Sequence, residues 1–97
     1  MTKQEFIEKM TKLGYSEPQA LNQIFVAADP DSLTGAPYNV VERSAGEFVI
    51  YEPDGRGGYS LAMVALGRPF LGRSLEDAYS YVHNEIAEAR RIYGVRR

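Results

Sequence analysis

Glu47 to Tyr81, EFVIYEPDGRGGYSLAMVALGRPFLGRSLEDAYSY, decides the fold. EFVIYE (47–52) and YSLAMVAL (59–66) are rich in β-branched and aromatic residues and read as strands. The intervening PDGRGG (53–58) is too rich in glycine for either regular element and reads as a turn. Ser74 followed three residues later by Asp77 signals a helix start. Leu75, Tyr79, Val82, Ile86, Ala89 and Tyr93 then alternate steps of four and three, which predicts one apolar stripe on a helix over 74–93, closed by Gly94. The stretch therefore encodes an antiparallel hairpin packed on a long helix.

Upstream, YNVVER (38–43) reads as another strand, joined to 47–52 by Ser44-Ala45-Gly46, so that 38–66 forms a three-stranded antiparallel meander. Asp29 to Pro37, DPDSLTGAP, is an exposed loop by composition. Thr2 with Glu5 is a capping box preceding Phe6, Ile7, Met10 and Leu13 at helical spacing, a helix over about 3–13 that Gly14 ends. Ser16 with Gln19 repeats the box, and Ala20, Leu21, Ile24, Phe25 and Ala28 predict a second helix reaching Asp29-Pro30. The expected fold is α+β in the order α-α-β-β-β-α. It forms a single domain over 1–97: a helical pair in 1–29, an antiparallel sheet in 38–66 and a C-terminal helix in 74–93.

Side chains alternate along a strand, and 47–52 and 59–66 carry apolar residues on both sides. One sheet face is expected to pack on the last helix. The other packs on the N-terminal helices, a second subunit or a partner protein.

The chain has 97 residues, no cysteine and one histidine, His83. A disulfide framework, a thiolate metal site and a multi-histidine site are thereby excluded, and neither a metal nor a cofactor is expected. No apolar run approaches the roughly 20 residues of a membrane span, and MTKQEFIEKMTK is not a signal peptide. The expected location is the cytoplasm, where a chain without cysteine is at home.

Net charge is −2, unevenly distributed. Residues 1–54 carry nine acids against four basic side chains, whereas 55–97 carry seven arginines against four acids. Acids crowding the first two strands and their loops suit a basic protein partner and repel nucleic acid. The arginines gather in RRIYGVRR (90–97), where they complement the negative end of a helix dipole.

No residue set meets the needs of catalysis. His83 lies beside the helix stripe with no nucleophile or orienting acid marked by its context. Gly55-Arg56-Gly57-Gly58 fails as a phosphate loop because a strand, not a helix, follows it. What remains is a polar and aromatic rim suited to binding: Glu47, Tyr51, Glu52, Asp54, Arg56 and Tyr59. Its carboxylates read as a solvated acidic rim, its tyrosines as half-exposed anchors and Arg56 as a turn-tip guanidinium.

YNVVERSAGEFVIYEPDGRGG, followed by a strand and SLEDAYSYVHNEI, resembles the small immunity proteins of bacterial polymorphic toxin systems. Gly72 to Ala78 also resembles the start of a helix in HicB-type antitoxins, although no DNA-binding segment follows. Each resemblance covers about half the chain, and neither carries a functional residue across. Together with the acidic first half they imply a non-enzymatic bacterial or phage protein, an immunity protein or inhibitor, that blocks a basic toxin or nuclease as a monomer or homodimer. The alternative is a nucleic-acid-associated or antitoxin module using the arginine-rich end.

Overall fold

The computed structural model describes residues 1–93. The expected cap at Gly94 and the terminal Arg96 and Arg97 lie outside them. Helix α1 (Lys3–Lys12) opens on the expected capping box: the Glu5 amide donates to Thr2 Oγ1 at 3.1 Å and the Thr2 amide to Glu5 Oε1 at 2.7 Å. It closes at Gly14, whose φ of 102° is left-handed. The amides of Gly14 and Tyr15 turn back to the carbonyls of Thr11 and Met10, which fixes where Tyr15 emerges.

Helix α2 (Glu17–Leu21) begins at the second capping box but ends much earlier than its apolar spacing predicts. Ile24–Ala27 is strand β1, not helix, and runs parallel to β2 (Tyr38–Ser44) with Ile24 opposite Tyr38. Apolar residues at helical spacing were compatible with both states, and the β-branched, aromatic run IFVA won a place beside β2. The loop between them holds a single 3₁₀ turn (Pro30–Ser32).

Strand β3 (Glu47–Pro53) pairs antiparallel with β2 and with β4 (Tyr59–Leu61), giving a mixed sheet of order β1-β2-β3-β4. The fold is α+β, but the expected three-stranded antiparallel meander is corrected to four strands with a parallel edge. The expected strand 59–66 is also broken. At Ala62 the amide donates to Ile50 O while the carbonyl accepts from the Phe70 amide, both at 2.8 Å. The chain thus leaves the main sheet and enters a small hairpin of β5 (Met63–Ala65) and β6 (Arg68–Pro69).

Helix α3 (Leu75–Tyr93) starts where Ser74 and Asp77 predict, with the Asp77 amide donating to Ser74 Oγ and the Asp77 carboxylate accepting from the Arg73 amide. It crosses one face of the sheet. There Val40 and Ile50 meet Phe6, Met10, Ala78, Tyr79, Val82 and Ile86 in the main core. Both α1 and α3 belong to this core, so the N-terminal helix does not cover the opposite face. That face holds Val41, Val49 and Ala27 under Leu33 of the 28–37 loop. Burying each large apolar side chain contributes about 1.5–3 kcal/mol, which makes the two-sided apolar patterning of β2 and β3 the main source of stability.

Candidate functional site

The register decides which rim residues can act together. Glu47 and Glu52 are five positions apart on β3 and therefore project from opposite faces. Tyr51 shares the loop-covered face with Glu47, and Tyr59, opposite Pro53 in the neighbouring strand, lies on that face as well. Asp54 and Arg56 sit in the turn beyond the strand. The six expected residues are thus divided between two faces and a turn.

Several of them already have structural partners. Glu47 accepts from Ser44 Oγ at 2.7 Å and lies 3.9 Å from Arg43. Asp54 Oδ1 accepts from the amides of Arg56 and Gly58 at 2.8 and 3.0 Å, holding a turn in which Gly55 and Gly57 have positive φ. Tyr51 packs against the smaller apolar cluster, while Tyr59 and the Arg56 side chain are exposed. The expected glycine turn is present, built around the Asp54 carboxylate.

Glu52 is different. It projects from the helix-covered face, and among the described residues no side-chain hydrogen bond or ion pair reaches its carboxylate. The pairing of Asn39 with Tyr51 places Tyr38 directly opposite Glu52, and Ser60 flanks Glu52 on its other side. Over this row passes α3, with Tyr81 and Glu85 one turn apart on the same helix face. Burial raises the Glu52 carboxyl above its ordinary range, and the nearby Glu85 charge raises it further. Tyr38 is pushed up to about 12 by burial and then by Glu52 and Glu85. Tyr81 is also pushed up to about 12 by burial, then by Glu85, Glu52 and Tyr38.

Tyr81 is fixed in place, its hydroxyl donating to Met63 O at 3.0 Å and its ring 4.7 Å from that of Phe70. Beside Tyr38 and Glu85, but not reaching Glu52 or Tyr81, a groove of about 360 Å³ runs along the C-terminal half of α3, lined also by Ala89, Arg90, Tyr93 and Tyr15. A second hollow of about 400 Å³ shares Tyr15, Gln23 and Arg90 with it. Between the two, the Arg90 guanidinium lies 5.3 Å from the centre of the Tyr15 ring.

The helix stripe predicted as core therefore splits. Tyr79, Val82 and Ile86 are buried, whereas Tyr93, expected in the core, is 65% exposed where α3 overruns the sheet. None of the six expected rim residues lines either hollow. The i, i+4 pair Tyr81 and Glu85 was visible as a helix-face pair, but its position over Glu52 depends on where α3 crosses.

His83 Nδ1 is buried without a hydrogen-bond partner, and no serine or carboxylate engages it. Among the described residues no group of three histidine, cysteine or acidic side chains could hold a metal ion, and no helix is long and apolar enough to cross a membrane. Comparison with family models, curated proteins and solved structures finds no match.

Proposed function

We propose that this chain is a non-enzymatic protein-binding inhibitor, an immunity-type protein that neutralises a basic toxin or nuclease in the cytoplasm. The observation that carries this reading is the open groove walled by Tyr15, Tyr38 and Tyr93, with Glu85 and Arg90 also lining it. Tyrosines contribute large contact area at low entropic cost and are favoured anchors in protein interfaces. A groove walled by three tyrosines suits holding a partner.

The alternative, a nucleic-acid or antitoxin module working through the C-terminal arginines, draws less support. Arg90 lies over Tyr15 and Arg91 pairs with Glu88, so both have intramolecular partners.

The test is co-expression with the product of the gene adjacent to this one. Rescue of growth from that product's toxicity, with the two proteins co-purifying, is expected. Rescue should be lost in a Tyr15→Ala, Tyr38→Ala double variant that remains folded. No toxicity, or no complex between the two proteins, would refute the inhibitor reading.

A further inference from the structure

We propose that the β5–β6 hairpin is a docking finger for an anionic membrane surface, its apolar tip entering the headgroup layer and Arg68 meeting lipid phosphate. This role is independent of the inhibitor reading. The hairpin springs from two buried residues, Ala62 and Phe70, which are 2% and 8% exposed and are joined by the Phe70 amide donating to Ala62 O at 2.8 Å. All seven residues between them, Met63 to Pro69, are exposed. Five of the seven are apolar, and Leu66, beside Gly67 in the turn, is fully exposed. A contiguous projection of apolar side chains of this kind marks a surface that another body covers.

Charge and shape name what covers it. From Gly57 through Leu75 the only charged residues are Arg68 and Arg73, and neither guanidinium has an ion pair among the described residues. An apolar tip accompanied by cations and no acid is complementary to an anionic lipid surface, where apolar burial and electrostatic attraction add. Side chains alternate along β5, so Met63 and Val64 point to opposite sides, and both are about half exposed, at 47% and 53%. A protein surface or a second copy would cover one side of the hairpin, whereas a headgroup layer surrounds both. Arg68 suits the margin of that layer, its stem lying along apolar chains while its guanidinium stays with phosphate. The finger is held before it docks. The Tyr81 hydroxyl donates to Met63 O at 3.0 Å, and the Phe70 and Tyr81 rings lie 4.7 Å apart, which fixes the root.

The test sediments the whole chain with vesicles of phosphatidylcholine alone and of phosphatidylcholine mixed with phosphatidylglycerol. Partitioning onto the anionic vesicles about tenfold or more above the neutral ones is expected, and raising the salt concentration should reduce it. Leu66→Asp and Arg68→Glu should each lower that partitioning about tenfold. Lys9→Glu, the same charge change on α1, should lower it less than about twofold. All three positions are exposed, so the variants keep the fold, which circular dichroism verifies. The chain has no tryptophan, so Leu66→Trp reports on the tip alone, and its emission should shift to the blue on anionic vesicles. Absence of partitioning, equal partitioning onto both kinds of vesicle, or a loss in Lys9→Glu as large as in Arg68→Glu would overturn the proposal. So would Leu66→Trp emission that stays unshifted while the chain is bound. Self-association of the free chain that Leu66→Asp abolishes, with no vesicle binding, would assign the finger to a second copy instead.

Discussion

Asn39 and Thr34 are joined by three hydrogen bonds: the Thr34 amide and hydroxyl both donate to Asn39 Oδ1, at 2.9 and 3.0 Å, and Asn39 Nδ2 donates to Thr34 O at 3.2 Å. Asn39 is completely buried on the sheet face that carries no helix. The pair ties the 28–37 loop down over Val41 and Val49 and so substitutes for a missing layer. A polar side chain is tolerated at this depth because its oxygen and nitrogen are both satisfied, the latter also by Ala36 O.

Replacing Asn39 with alanine should therefore cost about 2–3 kcal/mol, since it strands the Thr34 and Ala36 groups as well as removing contacts. Thr34→Ala, which leaves the Thr34 amide free to bond Asn39, should cost about 1 kcal/mol. Urea denaturation measures both. Limited proteolysis should cut the loop faster in the Asn39 variant, and equal rates would show that another contact holds it.

The legibility of this chain follows from the range of the signals. Both capping boxes, the Gly14 stop and the start of α3 are encoded within four residues of one another, and all four form as the sequence predicts. Ile24 to Ala27 went astray because its state depends on β2, more than ten residues away, whose flank it occupies in parallel. Ala62 was unreadable as a corner for the same reason: its hydrogen bonds run to Ile50 and Phe70. The candidate site repeats the pattern. Glu52 was visible as a strand carboxylate, but its isolation from Glu47 follows from alternation, and the groove lined by Tyr15, Tyr38 and Tyr93 follows from the path of α3.

Gly72 tests the junction between the sheet and α3. Its amide and carbonyl exchange hydrogen bonds with Phe48 at 2.8 and 2.9 Å, and an added Cβ would come within 2.9 Å of the Phe70 ring and 3.1 Å of Asp77 Cβ. Gly72→Ala should lower stability by about 1–3 kcal/mol through overpacking. Gly35→Ala, where nothing lies within 4 Å, should stay within about 0.5 kcal/mol of the parent. Thermal unfolding distinguishes them, and matching melting points would mean that Phe70 moves aside freely.

Glu47, at the start of β3, and Asp54, in the turn after it, should differ in how much their substitution costs. Asp54→Ala removes an acceptor for two turn amides and should cost about 1 kcal/mol. Glu47→Gln weakens only an exposed ion pair to Arg43 and should change stability by less than about 0.5 kcal/mol. Denaturant midpoints compare the two directly. A larger loss at Glu47 would mean that its end of the hairpin controls the register.

Glu52 gives a pH dependence whose sign is fixed. Its carboxyl is raised above the ordinary 4.5 by burial first and the Glu85 charge second, with Tyr38 and Tyr81 as the other titratable neighbours. The folded state then binds more protons than the unfolded state between the ordinary value and the raised one. Stability contributed by this group must fall as pH rises through that window, and the cost is fully present above it. Glu52→Gln should accordingly be more stable than the parent at pH 7, by less than about 1 kcal/mol because the side chain is still partly solvated. The advantage should disappear below about pH 4, where both states of the parent carry the proton. Unfolding midpoints for parent and variant across pH 3.5–8 measure the difference. A variant less stable than the parent at pH 7 would mean that the Glu52 carboxylate is stabilised by a cation in the free protein.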